Sequence, residues 1–130
     1  MKKLNLSKLL VASALLSSET IVHADTLAGV AFGGGNQSIA VCYAFNAGPG
    51  NVNVTSSSIL SESGASLPIA GKNCSASLTP GSTCYLQATT SVNNQAVACR
   101  IIVSPSAANV RGEMEIRDSS NVVLNSVELR

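Results

Sequence analysis

The stretch Asn73-Cys74-Ser75-Ala76-Ser77-Leu78-Thr79-Pro80-Gly81-Ser82-Thr83-Cys84 decides the fold. Its two cysteines flank a Pro-Gly turn, and the second opens a run with strand character. In an oxidising compartment that spacing suits a disulfide pinning a loop to the start of a strand. The implied class is a small exported β domain stabilised by cystines. No catalytic chemistry is written into it.

The start of the chain supplies the oxidising compartment. Lys2, Lys3 and Lys8 give a basic beginning, Leu9 to Leu16 give a short apolar run, and Val22-His23-Ala24 offers a signal-peptidase site. A secretory signal over residues 1–24, cut before Asp25, is therefore expected. The apolar run is well short of the ~20 residues that cross a bilayer, and no later segment reads as a transmembrane span. No cysteine stands at the new N-terminus to carry a lipid anchor. Residues 25–130 are expected to form one domain, secreted or periplasmic.

Charge and composition exclude several classes. Within 25–130, Lys72, Arg100, Arg111, Arg117 and Arg130 stand against Asp25, Glu62, Glu113, Glu115, Asp118 and Glu128. This near-balance lacks the basic footprint of nucleic-acid binding. The only histidine is His23, inside the expected signal, and there is no tryptophan. A histidine-based triad or a His-containing zinc site is thus unavailable to residues 25–130. Two disulfides would use up Cys42, Cys74, Cys84 and Cys99, leaving no thiol. The chain reads as a non-enzyme without a cofactor.

Short apolar runs alternate with turn-rich stretches, and no segment sustains a 3.6-residue period. Strands are expected near Leu27–Phe32, Ser38–Phe45, Val52–Ile59, Thr83–Thr89, Gln95–Val103, Arg111–Arg117 and Val122–Leu129. Turns are expected at Gly33-Gly34-Gly35-Asn36, Asn46–Asn51, Leu78–Ser82, Ser91–Asn94, Ser104–Asn109 and Asp118–Asn121. About seven short strands at this spacing is the pattern of an antiparallel β-sandwich. Arg111–Arg117 alternates most cleanly, with charges on one face and Met114 and Ile116 on the other. Asp118–Asn121 should return it into Val122–Leu129 as a hairpin. Ser38–Phe45 is less tidy: Ile39, Val41, Tyr43 and Phe45 share one face, and Ala40, Cys42 and Ala44 the other. It is either a central strand covered on both sides or the bearer of an exposed patch.

Two motifs carry a family resemblance. Phe45-Asn46-Ala47-Gly48 before the Val52–Ile59 strand resembles the "N-x-G" strand end of exported bacterial immunoglobulin-like domains. Cys74–Cys84 resembles their "C…L-x-P-G-x-x-C" loop. The group is that of ASH-like and choice-of-anchor modules, and the likeness covers roughly Val41 to Ile102. Thr89-Thr90-Ser91 stands where such modules often have Phe-x-Pro, and Cys42 with Cys99 is extra to the pattern; a separate uncharacterised secreted family is the other possibility. The resemblance implies an immunoglobulin-like β-sandwich of about seven strands. It implies no particular function, since one fold hosts many roles.

Four cysteines allow three connectivities. Cys42–Cys99 with Cys74–Cys84 is favoured: the second closes the local loop. The first would join strands about as far apart in sequence as the inter-sheet cystine of immunoglobulin domains. Two companions of that cystine are missing, namely a tryptophan and a tyrosine at Val97. Moreover, if the large side chains of Ser38–Phe45 face the core, Cys42 points outward and needs a partner in its own sheet.

Each candidate for chemistry has a plainer reading. Glu113 and Glu115 pair on one face as glycosidase carboxylates do, but Arg111 and Arg117 flank them, as on a salt-bridged solvent face. Gly33–Asn36 lacks the lysine and helix of a phosphate loop and reads as a flexible connection. Asp118–Asn121 has one carboxylate, too few for Ca²⁺. Asn36-Gln37-Ser38, Asn53-Val54-Thr55 and Asn73-Cys74-Ser75 match a glycosylation sequon by chance. Arg100, alone among apolar neighbours, is either an anchor for a partner's carboxylate or an arginine laid along the sheet. The expected role is a non-catalytic, monomeric exported module that binds a protein or cell-surface component. Its surface is sought at Tyr43, Phe45, Tyr85 and Arg100. The alternatives are an assembly subunit that polymerises by β-strand addition and a small inhibitor of a secreted hydrolase.

Overall fold

The computed structural model describes residues 23–74, 76–90 and 94–130. All but the last two residues of the expected signal, and most of the Ser91–Asn94 turn, lie outside the described residues. Among those described there is no helix. Nine strands form two antiparallel sheets: β1 Asp25–Ala31, β2 Ile39–Asn46, β3 Val52–Ser61, β4 Ile69–Lys72, β5 Ala76–Leu78, β6 Thr83–Thr89, β7 Val97–Ser104, β8 Val110–Arg117 and β9 Val123–Leu129. One sheet runs β1-β7-β3-β5 and the other β4-β6-β2-β8-β9.

Seven of these match the expected strands; the count of about seven is corrected by β4 and β5. Both are short, four and three residues, and Gly71 interrupts the only apolar run in β4. Neither offers enough alternation to register as a strand in the sequence. They are consecutive in the chain yet lie on different sheets, at the edge of each. The chain leaves β4 through Asn73-Cys74, and the Cys74–Cys84 disulfide ties this crossing to the start of β6. The far side of the sandwich is closed differently: Ala28 of β1 and Arg130 exchange both backbone hydrogen bonds, at 2.9 and 3.0 Å.

The second disulfide joins Cys42 in β2 to Cys99 in β7, with Cα atoms 6.1 Å apart. Packed sheets usually stand about 10 Å apart, so small neighbours are needed where a cystine spans them. That is why β2 turns its small face inward: Ala40, Cys42 and Ala44 are fully buried, as is Ala88 on the neighbouring β6. Around them the core is aliphatic, built on Ile59, Leu86, Ile101, Met114 and Ile116. The large residues of β2 therefore face outward, the reverse of the arrangement that would have turned Cys42 away from Cys99.

The turns follow their sequence chemistry. Pro80-Gly81 forms a type II turn, with Gly81 at φ 75° and Ser82 N–H donating to Thr79 C=O at 3.1 Å. The Asp118 carboxylate accepts from the N–H groups of Ser120 and Val122 at 2.8 and 2.9 Å, and Asn121 takes a left-handed conformation. The expected hairpin of β8 and β9 follows. Gly33–Asn36 is not a loose connection: the buried Gln37 accepts from Gly33 N–H at 3.0 Å and donates to Gln95 C=O at 2.8 Å. The two resemblance motifs meet at one end of the sandwich, where Asn46 at the end of β2 donates to Leu78 C=O at 2.9 Å.

Candidate functional site

Turning the small face of β2 inward has a consequence for its other face. Residues 25–130 contain four aromatic side chains, and none is buried. Tyr43, Phe45 and Tyr85 gather on the outer face of the five-stranded sheet. In register, Tyr43 lies beside Tyr85 of β6 and Glu113 of β8, while Phe45 lies beside Thr83 and Arg111. Phe45 is 39% and Tyr85 37% exposed. Val41, also on this face, is nonetheless buried, flanked by Gln87 and Glu115.

The charged row of β8 is only half satisfied. Arg117 Nε donates to Glu115 Oε2 at 2.9 Å, and its Nη2 donates both to that oxygen and to Tyr43 Oη, the latter at 2.8 Å. The hydrogen bond to Glu115 raises the Arg117 pKa further and keeps it cationic. Burial, followed by the Glu115 charge, pushes the Tyr43 phenol up, with the Arg117 charge pulling the other way. Arg111 and Glu113, by contrast, form no ion pair among the described residues. The salt-bridged row expected of these four residues is thus realised at Glu115–Arg117 and not at Arg111–Glu113. A surface depression of ≈ 380 Å³ lies here, lined by Tyr43, Phe45, Thr83, Arg111, Gly112, Glu113 and Glu115.

Arg100 does not join this surface. It sits on β7 between Ala28 and Ser58, with Cys99 and Ile101 buried to either side, and so projects from the outer face of the other sheet. The four cysteines are all paired and buried. Among the described residues, no three His, Cys, Asp or Glu side chains are placed to hold a metal ion, and no helix is long and apolar enough to cross a membrane. Two disulfides fit an oxidising, extracellular or periplasmic environment.

The part of this surface that the sequence did not reveal is the role of β8. Arg111-Gly112-Glu113-Met114-Glu115-Ile116-Arg117 reads as an amphipathic strand with a solvent face. Its signal for pairing with aromatics is absent, because cross-strand register depends on β2, far away in the chain. No family model, curated protein or solved structure matches this chain.

Proposed function

We propose that this is a non-catalytic exported module of immunoglobulin-like kind, and that it binds a protein or surface component through the outer face of its five-stranded sheet. One observation carries the binding surface: three of the domain's four aromatics lie together on that face, in a protein whose core contains none. Burying an aromatic is the usual way to gain stability from it. Leaving three half-exposed and adjacent is the mark of a surface that meets something.

Strand adjacency supports the immunoglobulin-like grouping. Immunoglobulin domains place strands A, B, E and D in one sheet and C, F and G in the other, with a B–F cystine. Here β2 adjoins β6 as B adjoins E, β3 adjoins β7 as C adjoins F, and the cystine joins β2 to β7. The end strands are exchanged: β1 lies beside β7, and β8 beside β2.

Retention on washed cell envelopes tests the reading. The wild-type protein should sediment with envelopes. A Tyr43→Ser, Phe45→Ser, Tyr85→Ser triple variant, with both disulfides intact, should stay in solution. Arg100→Ala, on the opposite face, should behave as wild type. Equal retention of all three proteins would dismiss this surface.

Self-assembly is the second reading, and a different observation favours it. Val30 and Phe32 near β1 are 62% and 50% exposed, and Val122, Val123 and Leu124 at β9 are exposed as well. Asn125 Nδ2 donates to Phe32 C=O at 3.0 Å, which holds the two segments side by side. The inhibitor reading has less to draw on, because Ala76–Leu78 of the Cys74–Cys84 loop is paired to β3.

A further inference from the structure

The outer face of the five-stranded sheet carries two ionised groups that its own residues leave unused. Arg111 and Glu113 are both exposed, both line the ≈ 380 Å³ depression, and neither forms an ion pair among the described residues. Phe45, which lies beside Arg111 and is 39% exposed, and Tyr43, which lies beside Glu113, line the same depression. We propose that this depression binds a neutral, hydroxyl-rich polysaccharide, an inference that rests on the binding-module reading above.

Charge is the first argument. Arg111 stands in the lining with Glu113 and Glu115, and Arg117, outside the lining, is bonded to Glu115, so the four charges balance and leave no net charge with which to select an anion or a cation. Hydrogen-bonding capacity is the second. The Glu113 carboxylate has two acceptor oxygens and the Arg111 guanidinium has five donors in a fixed fork. Neighbouring hydroxyls on a sugar ring both donate and accept, and so serve the two groups in the same bidentate geometry. The aromatics supply the third argument. One face of a pyranose is a sheet of C–H bonds, which lies against the negative face of an aromatic ring while the hydroxyls stay at the rim. The volume falls within the ~300–1,000 Å³ usual for small-ligand sites.

A second copy of the chain fits this face poorly. Along β8 the exposed charges run Arg111, Glu113, Glu115, Arg117. Two copies laid face to face about a twofold axis at Met114 would bring arginine against arginine and glutamate against glutamate. Such like-charge contacts disfavour association.

The probes are cellulose particles and chitin particles, each incubated with the purified full chain and sedimented. Binding to at least one is expected, and raising the ionic strength should leave it unchanged, as for a neutral ligand. Phe45→Ala and Glu113→Gln should each weaken it about tenfold, and Arg100→Ala should not. Arg111→Lys keeps the charge but loses the fork, and should also weaken it. Circular dichroism and disulfide mapping of each variant separate loss of binding from loss of fold. Absence of binding to both polymers, binding that high salt abolishes, or binding indifferent to Phe45 and Glu113 each overturns the inference. If envelopes still retain the protein through this face while no polysaccharide does, the ligand is a protein and the module reading stands. If envelope retention also fails, both fall.

Discussion

Asn46 joins parts of the chain that are distant in sequence. Its side chain donates to Gly50 C=O at 2.7 Å and Leu78 C=O at 2.9 Å, and accepts from Gly48 N–H at 3.0 Å. Its backbone exchanges hydrogen bonds with the Pro80-Gly81 turn. The residue is fully buried, so truncation would leave a donor and two acceptors without partners. Asn46→Ala is expected to cost about 3 kcal/mol, read as a lower urea midpoint with an unchanged slope. Gly48 belongs to the same device, since a Cβ there would stand 2.8 Å from the Asn109 Cβ. The motif was legible as a strand end, but its contact with the second motif was not, because the two are brought together only by sheet assembly. Tyr43 carries the pH dependence at this scale. Its phenol ionises above the ordinary value of ~10 because of burial first and Glu115 next. The stabilisation is therefore complete below the ordinary phenol pKa and is lost as pH climbs through the raised folded value. In a Tyr85→Phe background, Glu115→Gln should bring the phenol back toward ~10, as followed by ultraviolet titration. An unchanged or higher midpoint would contradict the assignment.

Among the elements, β2 and β8 differ in how far their own residues specify them. The alternation of β8, and the turn that returns it into β9, follow from residues close in sequence, and the structure reproduces both. For β2 both faces are apolar, so period-two reasoning does not say which faces the core. The cystine decides: sheets drawn together at Cys42 and Cys99 leave room for Ala40 and Ala44 and not for Tyr43 or Phe45. β4 and β5 are not legible in the sequence because short edge strands draw their stability from the neighbour they pair with rather than from their own pattern. Edge strands are normally guarded by lysine, proline or charge, yet Val122-Val123-Leu124 carries none of these. Val123→Lys with Leu124→Lys should change unfolding stability by no more than ~0.5 kcal/mol. If the assembly reading holds, the same change should remove any concentration-dependent association seen by light scattering. Association that persists in the variant would move the contact elsewhere.

For the molecule as a whole, the two disulfides divide the work unequally. Cys42–Cys99 spans a sequence separation of 57 and Cys74–Cys84 one of 10. In the chain-entropy account the longer loop restrains the unfolded state by about 1.5 kcal/mol more. Cys42→Ala with Cys99→Ala should accordingly lower stability more than Cys74→Ala with Cys84→Ala, by calorimetry on otherwise oxidised protein. A larger loss from the Cys74–Cys84 pair would show that fixing the sheet crossing matters more than loop entropy. The sequence by itself determined the all-β class, seven of the nine strands, the turns at Pro80-Gly81 and Asp118–Asn121, and the absence of histidine from residues 25–130. These rest on period, turn chemistry and composition, which act over a few residues or over none. The favoured cysteine pairing of the sequence is the one the structure has; tertiary structure alone decided which face of β2 is buried, that Arg100 lies on the opposite face from the aromatics, and that Arg117 rather than Arg111 is paired. Those depend on register between strands that are remote in the chain, and register is set by the packing of two sheets around one cystine.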